Sequence, residues 1–185
     1  MEGIIMGGML LLILGIFFFT RNLFRFEKLS RFEAVILPVY SLIMAWQALD
    51  QHHPSAMAIV ITVIFGVLMA WLQSWGARVK VTGEQDKHGR PVVEVRRGWW
   101  YLIGWLLIFA YGIVFAVMLG EHVNVLEEAG NEIAKDLFSF RNFSTASSWN
   151  IYLQSGIASL VYTLLLVCKE PKVKHAIARR QQHKK

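Results

Sequence analysis

SAMAIVITVIFGVLMAWLQSW, residues 55–75, contains no Asp, Glu, Lys, Arg or His. As a helix it would rise roughly 30 Å at 1.5 Å per residue, the thickness of a bilayer's hydrocarbon core. The block before it, residues 34–49, is shorter and carries Pro38, which removes a backbone donor and kinks a helix in its first turn or two. Asp50, Gln51, His52, His53 and Pro54 join the two blocks, and so short a turn allows only an antiparallel hairpin of helices.

Further out lie three more apolar blocks, at residues 3–20, 99–119 and 151–168. The first begins with Glu2 and ends in Phe17-Phe18-Phe19 before Arg21. A cleaved signal peptide would need a basic start and a small-residue cleavage site, so a retained helix is expected. Hydrophobic residues make up 55% of the chain and charged residues 17%, against roughly 25% charged in soluble proteins. The fold class that follows is an all-α membrane protein. One five-helix domain fills residues 1–168, and a basic tail runs over 169–185.

Residues 76–98 break the apolar pattern. Val79 and Val81 alternate with Arg78, Lys80 and Thr82, and Val93 and Val95 alternate with Glu94 and Arg96. The turn-rich GEQDKHGRP lies between them, so the period of two predicts a small β-hairpin. Pro91 fits only at its start or edge. A lone hairpin is marginal in water, so this one should rest on the membrane or a partner.

Charge orients the chain. Segments 21–31, 76–98 and 169–185 hold 17 of the 19 Lys and Arg residues, and in a five-span arrangement they share one side. The positive-inside rule makes that side cytoplasmic, with Met1 outside and the C-terminus inside, in a plasma membrane. The same distribution explains the net charge of +6 without a nucleic-acid partner. The basic tail is expected to meet anionic lipid. Trp71, Trp75, Trp99, Trp100 and Tyr101 gather at the inner ends, while Trp46, Trp149 and Tyr152 lie near outer ends, as aromatic belts do.

Segment 120–150 is too short and too charged to span. Val123, Leu126, Gly130, Ile133, Leu137 and Phe140 recur at three- and four-residue steps, predicting an amphipathic helix at the outer interface.

Gly104, Gly112, Ala116 and Gly120 share a four-residue spacing in the fourth span, and Ser155, Ser159 and Thr163 repeat it in the fifth. Small residues at that interval admit a second helix, so these are read as facing, helix-packing surfaces. His52, His53 and His122 fall on one side, where they could converge on a metal or haem iron. Solvated loop histidines are the plainer reading, and no cofactor is predicted. Cys168, the single cysteine, forms no disulfide. It reads as a small hydrophobe near the membrane surface or as a palmitoylation site. No charged group lies deep in any span, which weighs against ion-coupled pumps. No GxSxG, Walker, GxGxxG or HExxH motif is present, so no residue set supports an enzyme.

The basic segment after the first block, the proline in the second and VKV…VEVRRGWW running into a span resemble the small CcdC-like membrane proteins of Gram-positive bacteria. The likeness covers residues 21 to about 119, and segment 120–150 departs from it as an addition. It implies a bacterial membrane protein linked to cytochrome c biogenesis, with no defined reaction. The expected function is a non-enzymatic accessory or interaction component with a membrane or soluble protein partner. The alternative is handling of a small molecule, metal or haem through the outer histidines and the helix interior.

Overall fold

The computed structural model describes residues 23–86, 89–118 and 148–178. In chain order these form strand β1 (Glu27–Lys28), a π-helical turn (Phe32–Ile36), helices α1 (Leu37–His52) and α2 (Ala56–Trp75), and strands β2 (Arg78–Gln85) and β3 (Pro91–Arg96). Helices α3 (Trp99–Met118), α4 (Ser148–Lys169) and α5 (Lys172–Ile177) follow. Four helices are long and apolar enough to cross a membrane: Phe32–His52, Ala56–Trp75, Trp99–Met118 and Trp149–Lys169. The molecule is a helical membrane protein with a small sheet at one end. The apolar block 3–20, residues 119–147, which hold most of the expected amphipathic segment 120–150, and the last seven residues lie outside the described residues.

Local chemistry sets the boundaries. Pro38 falls in the first turn of α1, where its missing N–H is tolerated but its ring still crowds the carbonyl four residues back. The ladder widens there by one residue: the N–H of Leu37 donates to the carbonyl of Phe32, five positions back. The proline thus yields a π turn, and the helix continues through it. At the far end of α1, His53 takes a left-handed backbone (φ 43°) and its N–H donates to Leu49 at 3.0 Å. Ser55 then caps α2, its hydroxyl accepting from the Ala58 N–H at 3.3 Å.

The expected hairpin is present but not alone. β2 and β3 pair antiparallel, Val79 opposite Val95 and Val81 opposite Val93, with a bulge between Val81 and Gln85. Gly83 has φ 78° inside that bulge, a conformation open to glycine and strained for other residues. Pro91 opens β3, where no ladder donor is needed. The correction concerns the other side of β3. Glu27 and Lys28 add a third antiparallel strand, giving the order β1-β3-β2. The support the hairpin needs comes from its own chain.

That sheet is welded to the helices. Val93, Val95, Ala77 and Leu166 share one buried cluster with Val173 of α5. Part of the expected tail is therefore a helix folded into the core, because Val173 supplies the apolar residue that covers β3. A second cluster at the opposite end joins Ala45 and Ala48 of α1 to Trp149, Tyr152 and Leu153 of α4. Trp149 and Tyr152 were expected in an aromatic belt, yet they are buried there. Trp149 packs edge-on against Phe115, ring centroids 5.3 Å apart, because its helical face meets the small alanines of α1. Trp46, Trp71, Trp75, Trp99 and Trp100 are exposed.

Candidate functional site

α4 is the central helix. It packs on α1 along one side and on α2 along another, while α1 and α3 barely touch. Glycines set the close approaches. A Cβ at Gly156 would fall 2.9 Å from Leu42 Cδ2, and one at Gly66 would fall 3.1 Å from the Gln154 carbonyl oxygen. The untouched gap between α1 and α3, floored by α4, is a half-open cleft of about 370 Å³.

At the end nearest the sheet, Arg97 and Glu33 close the cleft. Arg97 sits between β3 and α3, and Glu33 belongs to the π turn that Pro38 imposes. Arg97 Nη2 donates to Glu33 Oε2 at 2.8 Å. The guanidinium also lies 5.3 Å over the Tyr101 ring, and Tyr101 meets Tyr162 edge-on at 5.3 Å. Burial by itself disfavours the Arg97 charge, but the phenols of Tyr101 and Tyr162 and the Glu33 carboxylate outweigh it. Its pKa is left above the ordinary arginine value. Arg97 therefore remains a cation, and its bond to Glu33 ties the π turn to the segment that leads into α3.

Deeper in, the wall turns apolar and then polar again. Leu37, Trp105, Phe109, Ile113 and Ile151 supply the apolar surface. Gln154, only 1% exposed, donates from Nε2 to the Ile108 carbonyl at 3.1 Å, and its Oε1 is buried without a partner. Away from the cleft, Asn150 Nδ2 donates to Thr62 Oγ1 at 2.7 Å, and Tyr111 OH lies 3.3 Å from the same hydroxyl. This buried network ties α2, α3 and α4 together where the bilayer would offer no water.

The residues singled out from the sequence are distributed as follows. Gly104, Gly112 and Ala116 are buried on α3. A Cβ at Gly104 would fall 2.5 Å from Gln73 Cγ of α2, and one at Gly112 would fall 3.4 Å from Ile151 of α4. Ser155, Ser159 and Thr163 line the cleft. Gly120 and His122 lie outside the described residues. His52 is half-buried at the end of α1, and His53 is exposed as its cap. Among the described residues, no group of three or more His, Cys, Asp or Glu is placed to hold a metal ion. Cys168 is exposed. Sequence reasoning missed Arg97, Glu33 and Tyr162 as a cluster, since they come from three elements far apart in the chain.

A scan against protein-family models, a search of curated proteins and a search of solved structures each return no match.

Proposed function

We propose that this is a bacterial plasma-membrane protein of five spans, with Met1 outside and the C-terminus in the cytoplasm. It acts as a non-enzymatic accessory component that meets a protein partner through its cytoplasmic end. The bacterial setting rests on the CcdC-like resemblance of residues 21 to about 119, and the orientation on the basic residues gathered at the sheet end. In this reading the stretch after α5 lies against anionic lipid.

The observation that supports an interaction role is the edge of the sheet. β2 is eight residues long, and among the described residues no strand pairs with its outer side. Such an edge offers a row of backbone donors and acceptors, the template that extended partner segments use. Arg78 and Lys80 are exposed along it, which suits an acidic segment. Affinity capture from mild-detergent membranes should therefore yield a partner with the wild type and lose it with Arg78→Glu plus Lys80→Glu. Membrane insertion of the double variant should be unchanged. An identical capture profile from both proteins would remove the edge from consideration.

Topology is open to an independent check in a Cys168→Ser background. Single cysteines at Ser30, Glu84 and Gln181 are expected to resist an impermeant maleimide in intact cells, whereas one at Asn131 should label. External labelling at Glu84 would reverse the orientation. Handling of a small molecule is the second reading, and the cleft between α1 and α3 is the feature that favours it.

A further inference from the structure

Gln154 poses a chemical question that the rest of the bundle leaves open. Its Nε2 donates to the Ile108 carbonyl at 3.1 Å. A carbonyl can only accept, so the amide cannot be turned over without losing that bond. The Oε1 is thereby fixed as the end facing away from Ile108, and it is an acceptor, buried and unpartnered, on a residue that lines the cleft. In a membrane-spanning helix such an atom is costly unless a donor meets it.

The surroundings narrow the donor's class. Among the described residues the charges that line the cleft are Arg97 and Glu33 at its sheet end, and they are paired with each other at 2.8 Å. The volume of about 370 Å³ falls in the range of small-ligand sites, roughly 300–1,000 Å³. Its lining follows α4 from Ile151 to Thr163, roughly 18 Å of helix at 1.5 Å per residue. The space is long and narrow and bounded by Leu37, Trp105, Phe109 and Ile113. Ser155, Ser159 and Thr163 add no firm demand, because helix hydroxyls can bond to their own backbone carbonyls.

We infer that the cleft between α1 and α3 binds an uncharged single-chain lipid bearing a hydroxyl, of the fatty-alcohol or prenol kind, whose O–H donates to Gln154 Oε1. The apolar chain lies along Trp105, Phe109 and Ile113. This site stands on the cleft and Gln154 and does not depend on the partner-binding role of the sheet edge.

The test uses the full-length protein in mild detergent and hexadecanol carrying a chain diazirine, with the labelled residues mapped by mass spectrometry. Labelling should concentrate on Phe109, Ile113 and Ser155, and excess hexadecanol should displace it at least tenfold better than hexadecane does. Gln154→Leu should weaken labelling about tenfold, the equivalent of one hydrogen bond. Should that variant melt early, Ser159→Phe plugs the cleft with Gln154 intact and should abolish the labelling. Three results would overturn the inference. Label spread evenly over lipid-facing positions such as Ile64 and Val114 would mean no selective site. Palmitate displacing the probe as well as hexadecanol would mean that charge, not an O–H donor, is read. Cleft labelling that appears only after residues 1–20 are deleted would make the chain's own N-terminal block the occupant.

Discussion

Replacing Gly156 by leucine is expected to lower the melting temperature in mild detergent by roughly 6–12 °C, a destabilisation of about 3 kcal/mol at 2–4 °C per kcal/mol for a chain of this size. The Cβ alone would stand 2.9 Å from Leu42 Cδ2, 3.0 Å from Cγ and 3.2 Å from the Leu42 backbone nitrogen. A side-chain tip can turn aside, but a backbone nitrogen on a packed helix moves only if α1 moves. The effect is large because α4 is the helix that holds the others. Of its apolar stretch 44% is buried inside the molecule, twice the 22% of the stretches Phe32–His52 and Ala56–Trp75. Within a bilayer, helix association rests on close packing and polar contacts, since lipid is as apolar as the side chains it would replace. Gly156→Ala adds only the first carbon and should cost about 1 kcal/mol. Leucine at the exposed Ala110 of α3 is the control and should leave the transition in place. Tryptophan fluorescence suits the measurement, because Trp149 is buried against α1 and reports its separation. A Gly156→Leu protein that melts with the wild type would mean that α1 and α4 do not meet as described.

The parts of this architecture that were legible in the sequence are those written in one run of residues. The charge-free run 55–75 marks α2, the alternating valines mark β2 and β3, and Pro38 marks a disturbance at the start of α1. Glu27 and Lys28 could not be read as a strand, since two residues have no period and their pairing partner lies more than 60 positions away. KVKHAI reads as a charged tail, and only the covering of β3 shows that Val173 is a core residue. The cleft was illegible for a deeper reason. It is a gap between α1 and α3, two helices separated by α2 and the hairpin, and no local pattern encodes where neighbours fail to touch. Gln154 stands between Leu153 and Ser155 with nothing in its spacing to mark a buried acceptor. Gly156 likewise gave no motif, being a lone glycine between Ser155 and Ile157.

Substituting aspartate for Val173 is expected to release α5 from the sheet and speed tryptic cleavage at Lys172 and Lys174 by about 30- to 100-fold in detergent solution. Val173 is fully buried and lies in the cluster with Val93, Val95 and Leu166. A carboxylate placed there would sit among the apolar side chains of that cluster, and an unpaired buried charge costs several kcal/mol. The chain can avoid that cost by giving up the docking of one short helix. α5 has six residues, with Val173 its buried one; besides that residue, Ala176 packs on the same cluster, the Lys172 N–H donates to Glu170 Oε1 at 3.1 Å and Arg90 Nη1 donates to the Ala178 carbonyl at 3.5 Å. The loss is then limited to the burial of one valine and its neighbours, about 2–3 kcal/mol. Cleavage through a rapidly opening segment follows the population of the open state, and each 1.4 kcal/mol is a factor of ten, which gives the stated range. Val173→Ala keeps the site apolar and should fall between the two proteins. The four spans should stay folded, because the clusters that join α1, α2 and α4 at the other end contain no part of α5. Their protection, read from fragments larger than the α5 peptide, separates local release from general unfolding. Equal cleavage of wild type and Val173→Asp would mean that residues 172–177 are an open tail and that the sheet is covered by something else.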